Sequence, residues 1–170
     1  GMKWGEFDVK AMVDGAKNDP SVIMWSLGNE IDEGVSGNTS HYLNLVDDLI
    51  KWVQEVDTTR PVTNGDNRKN TNPNAMLSQI NQKIYEAGGV VGMNYANGDQ
   101  TIAMHNTYSD WPLYGSETAS AVHSRGVYNT TGKDDNTLQM SEYDNDEAKV
   151  GWGHSASDAW QFVIKNDFNA

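Results

Sequence analysis

The sequence predicts an α/β fold of about four parallel strands with flanking helices, and three observations lead there. Four short apolar runs, starting near Val22, Pro61, Val90 and Leu113, alternate with stretches whose apolar residues recur at helical spacing. The intervals between the runs are long enough for crossover helices, which parallel strands need because tight hairpins cannot join them. Two of the runs end in a glutamate, Glu30 and Glu117.

Taken in order, Glu6 to Asn18 reads as a helix with Phe7, Met12 and Ala16 on one side, stopped by Asn18-Asp19-Pro20. The first strand is Val22 to Leu27, broken by Gly28-Asn29 before Glu30. Ser40 to Val56 keeps Tyr42, Leu45, Val46, Leu49, Val53 and Val56 at helical spacing, with Asp47, Asp48, Lys51 and Glu55 on the other faces. A second strand follows at Pro61-Val62-Thr63, and the Gly, Asn and Asp content of 64–74 predicts a turn-rich loop. Ala75 to Ala87 places Leu77, Ile80 and Ile84 on a helical stripe and closes at Gly88-Gly89, which suits a left-handed cap. The third strand is Val90 to Tyr95, a short helix spans Gln100 to Thr107, and the fourth strand runs from Leu113 to Ser116. The polar stretch 129–147 reads as a loop, and Ser157 to about Asn166 as a last helix carrying Ala159, Trp160, Val163 and Ile164.

Composition narrows the function classes. A formal charge of -12 with 37% hydrophobic residues fits an acidic globular domain. Twelve basic residues against twenty-four acidic ones form no stripe able to neutralise phosphates, which argues against a nucleic-acid partner. No apolar run approaches the roughly 18 residues of a membrane span, and the amino terminus lacks a signal-peptide layout, Gly1-Met2 reading as an artificial start. Cysteine is absent, and His41, His105, His123 and His154 form no metal-ligand pair, so neither a metal nor another cofactor is expected. Asp144-Asn145-Asp146-Glu147 lacks the spacing and glycine of a calcium loop. Asn38-Thr39-Ser40 and Asn129-Thr130-Thr131 match the glycosylation triplet, a pattern that chance produces often. No Gly-rich phosphate loop is present either.

The two strand-end acids carry the functional argument. Three strand-helix units of about 30 residues each fill the interval between Glu30 and Glu117. In a flat sheet, three strand spacings of about 4.8 Å would hold their backbones roughly 14 Å apart. Closing the sheet into a barrel bends the carboxyl ends of the strands around one mouth, where two carboxylates can reach the separation of about 5 to 5.5 Å used by retaining glycosidases. Asn29 adds an amide suited to a sugar hydroxyl, and Asn94-Tyr95, ending the intervening strand, brings a phenol to the same mouth.

These segments resemble the catalytic domain of glycoside hydrolase family 2, and its β-galactosidase-like members in particular. Asp19-Pro20-Ser21-Val22-Ile23-Met24-Trp25-Ser26-Leu27-Gly28-Asn29-Glu30 is similar to the acid/base segment on the family's fourth barrel strand. Val91-Gly92-Met93-Asn94-Tyr95 resembles the sixth-strand segment. Gly115-Ser116-Glu117-Thr118-Ala119-Ser120, continuing to Ser124-Arg125-Gly126-Val127-Tyr128, resembles the nucleophile segment on the seventh. The resemblance implies a partial (β/α)8 TIM barrel, a half-barrel holding strands four to seven as a single fragment over residues 1–170. It implies Glu30 as general acid/base, Glu117 as nucleophile, Asn29 as a contact to the 2-hydroxyl, Tyr95 as the partner that steadies the nucleophile, and Asn94 beside it in the substrate-binding set.

The expected substrate is a terminal β-D-galactoside, cleaved by double displacement in the intact parent, with the fragment itself inactive. A β-glucuronidase or β-mannosidase of the same family remains open, as does a noncatalytic carbohydrate-binding or interaction module. Open barrel edges lead to an expectation of self-association.

Overall fold

The computed structural model describes residues 2–31, 39–96, 98–120 and 153–167. The elements run α1 (Met2–Ala16), β1 (Trp25–Asn29), α2 (Thr39–Gln54), β2 (Val62–Gly65), α3 (Met76–Glu86), β3 (Val91–Asn94), α4 (Gly98–Thr107), β4 (Leu113–Glu117) and α5 (Ala156–Lys165). Strands β1 and β2 pair in parallel, as do β3 and β4. Parallel bridges Thr63 to Val90 and Asp66 to Met93 join the two pairs, giving the spatial order β1-β2-β3-β4. Among the described residues the sheet is a wall with two lateral edges and does not close into a barrel.

Helices α2 and α3 cover the outer face of this wall because their apolar stripes match it. Val46, Ile50 and Val53 of α2 and Leu77, Ile80 and Ile84 of α3 are buried in one cluster with Val62, Val91 and Met93. Each of the larger fully buried aliphatic side chains contributes about 2 kcal/mol of transfer free energy. After α3, Gly88 adopts φ +76°, and the N–H groups of Gly88 and Gly89 close onto the carbonyls of Tyr85 and Ile84 at 2.9 and 2.8 Å. Helix α5 is capped by the Ser155 hydroxyl, which accepts from the Asp158 N–H at 3.0 Å.

Several boundaries differ from those expected. The first strand begins at Trp25, because Val22 is held in a turn by its N–H bond to the Asp19 carbonyl. Strand β2 runs on to Gly65, since Asn64 and Gly65 keep pairing although their composition reads as loop. In α1 the buried residue is Val13, with Val9 and Ala16 against the core; Phe7 and Met12, expected on the packed side, are exposed. In α5 Ala159 is buried, whereas Trp160 and Ile164 are exposed. The loop expected over 129–147, the acidic run within it and the second glycosylation triplet lie outside the described residues, as does Asn38 of the first.

The amino-terminal ends of the strands are tied by a buried polar cluster. Asp57 accepts from Thr59 through the hydroxyl (2.6 Å) and the N–H (2.8 Å), from Arg60 Nη1 (2.7 Å) and from Trp25 Nε1 (3.0 Å). Arg60 Nε in turn donates to the Val22 carbonyl at 2.6 Å. The donors from Thr59, followed by Arg60 and Trp25, hold the Asp57 carboxyl well below the usual carboxylate range.

Candidate active site

The carboxyl ends of the four strands gather the second polar cluster. Pairing is irregular there, with register shifts between Ser26 and Asn29 on β1 and between Met93 and Asn94 on β3. Such irregularities turn side chains away from strict alternation and are common beside active sites. The backbone is also unusual, since Glu30, Lys69 and Tyr95 adopt φ +49°, +48° and +55°. Non-glycine residues enter this left-handed region at a cost, and they cluster at functional sites.

Glu30 leaves β1 at this bend, its N–H fixed to the Gly65 carbonyl at 2.9 Å. Its Oε1 accepts from Asn94 Nδ2 at 2.8 Å, and the same amide nitrogen donates to Asn29 Oδ1 at 2.8 Å. Asn94 Oδ1 accepts from the Ser116 hydroxyl at 2.7 Å. The Tyr95 hydroxyl donates to Glu117 Oε1 at 2.6 Å, and the Tyr95 N–H bonds the Glu117 carbonyl. Consecutive residues at the end of β3 therefore hold both acids, Asn94 holding Glu30 and Tyr95 holding Glu117. All five residues singled out in the sequence belong to this one cluster. Asn29 is exposed and both acids are partly exposed, while Asn94 is fully buried and meets the mouth through its neighbours.

The structure adds four residues that the sequence argument passed over. Gly65 lies between the asparagines; a Cβ there would sit 2.3 Å from Asn29 Oδ1 and 2.8 Å from Asn94 Oδ1. Asp66 is fully buried, its Oδ1 accepting the N–H groups of Arg68 (2.7 Å) and Lys69 (3.3 Å) and its Oδ2 accepting from Asn81 Nδ2 (2.7 Å). That turn carries Lys69, only 8% exposed, to within 5.9 Å of the Tyr95 ring centre. Burial pushes the Lys69 ammonium below the usual lysine range, opposed by the negative charges of Asp66 and Glu30. Ser116 orients the Asn94 amide. A usable signal existed: the 64–74 loop leaves a strand end on the same side as Asn94 and Glu117, so its first residues had to reach the mouth. Among the described residues no group of three or more His, Asp or Glu side chains gathers as a metal site would require.

Two acids, one with an amide beside it and the other with a phenol, at the carboxyl ends of parallel strands form an arrangement able to move a proton and stabilise a cationic carbon. Several known proteins are similar to this chain. Beta-galactosidase BoGH2A of Bacteroides ovatus is 28% identical over 98% of this chain and 23% of its own length. A solved glycosyl hydrolase family 2 member from Bacteroides cellulosilyticus superposes with a TM-score of 0.55 at 28% identity, covering 70% of this chain and 15% of that one. The beta-glucuronidase of Bacteroides uniformis shares the fold at a TM-score of 0.50 and 20% identity, over 70% of this chain and 16% of its own. The chain thus spans less than a quarter of the length of these relatives. The family described as glycosyl hydrolases family 2, TIM barrel domain, matches residues 7–149, a span that takes in both acid-bearing strands, and the chain belongs to that family.

Proposed function

We propose that this chain carries the catalytic pair of a retaining β-galactosidase and works within a longer polypeptide that completes the barrel. Glu117 attacks the anomeric carbon while protonated Glu30 gives its proton to the departing glycosidic oxygen. Glu30, now ionised, takes a proton from water, whose oxygen displaces Glu117 and frees the sugar. Tyr95 steadies Glu117, Asn29 contacts the 2-hydroxyl, and Asn94 holds Glu30 and Asn29 in register. The observation that carries the reading is the placement of both carboxylates by adjacent residues, Asn94 and Tyr95.

Support for galactose comes from the Bacteroides ovatus relative, a beta-galactosidase. Lys69 favours a second reading, a glucuronide, because a buried ammonium near the acids could meet a sugar carboxylate. Turnover of 4-nitrophenyl β-galactoside against the β-glucuronide by the full-length enzyme separates the two. Loss of glucuronide turnover alone in Lys69→Met would favour the second.

The mechanism itself is tested by trapping with a 2-fluoro sugar and mapping the labelled peptide. Label on Glu117 supports the assignment, and label elsewhere overturns it. The segment alone would show little turnover, since its four described strands form an open wall that does not enclose a substrate. Its lateral sheet edges, together with Trp4 and Phe7 exposed on α1 and Trp160 and Ile164 exposed on α5, would favour self-association. A monodisperse monomer by light scattering at high concentration would remove that part of the proposal.

A further inference from the structure

Strand β4 advances by two residues where β3 advances by one. Met93 pairs with Gly115 and Asn94 with Glu117, so Ser116 is the extra residue of a bulge. A bulge breaks the alternation that would send Ser116 and Glu117 to opposite faces. Both reach β3, Glu117 accepting from the Tyr95 hydroxyl at 2.6 Å and Ser116 donating to Asn94 Oδ1 at 2.7 Å. The second contact crosses over, because Asn94 serves the other acid. Its Nδ2 uses both hydrogens, one on Asn29 Oδ1 and one on Glu30 Oε1, each at 2.8 Å. That orientation turns the oxygen of the fully buried Asn94 toward β4, where the Ser116 hydroxyl is its donor.

We propose that Ser116 is a positioning residue for the acid/base step, its hydroxyl holding the Asn94 amide where Nδ2 meets Glu30; the inference rests on the assignment of Glu30 as proton donor. Flipping the amide would set its oxygen against two other acceptors, Glu30 Oε1 and Asn29 Oδ1, so the orientation is fixed and its oxygen must find a donor on the β4 side. Without the hydroxyl that oxygen is a buried acceptor lacking a partner. Ser116 is itself exposed, so water lies on that side, and the amide regains a donor by tilting toward it and away from Glu30. Glu30 has no other side-chain hydrogen bond among the described residues and then leaves the line of the glycosidic oxygen. Glu117 is held by Tyr95 and not by this chain of contacts, so losing the hydroxyl weakens protonation more than attack.

Leaving groups separate protonation from attack. A phenyl glycoside needs its oxygen protonated as it departs, whereas 2,4-dinitrophenolate departs unaided. The full-length enzyme is assayed for kcat/KM on both, each carrying the sugar it turns over. In Ser116→Ala the ratio of the dinitrophenyl to the phenyl value should rise about ten-fold over wild type, and Ser116→Thr, which restores the hydroxyl, should return it to within about two-fold. Glu30→Ala should raise the same ratio about 100-fold or more. An unchanged ratio in Ser116→Ala beside a raised one in Glu30→Ala overturns the role of Ser116 and leaves Glu30 as the acid. An unchanged ratio in Glu30→Ala removes the acid assignment and this proposal with it. Should Ser116→Ala fail to fold, Ser116→Cys, whose thiol is a weak donor, takes its place, and a wild-type ratio in that folded variant overturns the role equally.

Discussion

The two ends of the sheet hold their carboxylates in opposite ways. At the amino-terminal end Asp57 is saturated by donors from Thr59, Arg60 and Trp25, and the Arg60 side chain that pairs with it is also largely buried. At the carboxyl end Glu30 and Glu117 each accept one side-chain hydrogen bond among the described residues and stay partly exposed. Left-handed non-glycine residues, Glu30, Lys69 and Tyr95, occur at that second end. A fully satisfied carboxylate is inert and locks its neighbours; one with spare lone pairs can still exchange a proton or attack carbon. In parallel barrels the first kind of end serves stability and the second carries chemistry.

The sharpest way to break this contrast is at Glu117. Glu117→Gln in the full-length enzyme should lower kcat by at least about 10³-fold while the melting temperature stays put or rises, measured by steady-state kinetics and calorimetry. Retention of turnover would place the chemistry elsewhere. Gly65→Ala comes next, because its methyl group collides with Asn29 and Asn94 and disturbs the amide that holds Glu30. A fall in kcat of about 10²-fold is expected, given the sensitivity of such sites to displacements near 1 Å. Tyr95→Phe removes the donor to Glu117 and should cost roughly 10- to 100-fold in kcat with KM little changed.

Changes at the opposite end should move stability and leave catalysis alone. Trp25→Phe keeps the ring and loses its N–H; urea unfolding should report a loss of about 1 kcal/mol at unchanged kcat/KM. The smallest effect is on pH dependence. Because the folded-state pKa of Asp57 is depressed, its contribution is complete above the unfolded value near 4 and is lost as pH falls below it. The wild-type chain should thus lose stability on acidification more steeply than Asp57→Asn, as followed by circular dichroism from pH 6 downward.

Much of this contrast was legible in the residues. Helical spacing located α2 and α3 because their stripes pack directly on the sheet, and the Gly88-Gly89 stop corresponds to a left-handed cap. Glu30 and Glu117 announced themselves by ending apolar runs. Asp66 and Lys69 did not, because their roles arise from a turn and from contacts with Asn81 and Tyr95 that lie distant in sequence. Asp57 escaped notice for the same reason, its donors being set by the meeting of β1 with the turn before β2. Phe7 and Met12 misled because apolar character alone cannot say which helix face meets the core, a role taken by Val13 with Val9 and Ala16.

The anchoring of both acids by Asn94 and Tyr95 ties the chemistry of the site to one mechanical variable. A slip of β3 by a single position would send its side chains to the opposite faces and release the two carboxylates together. The alignment of this four-residue strand therefore bears on both acids at once.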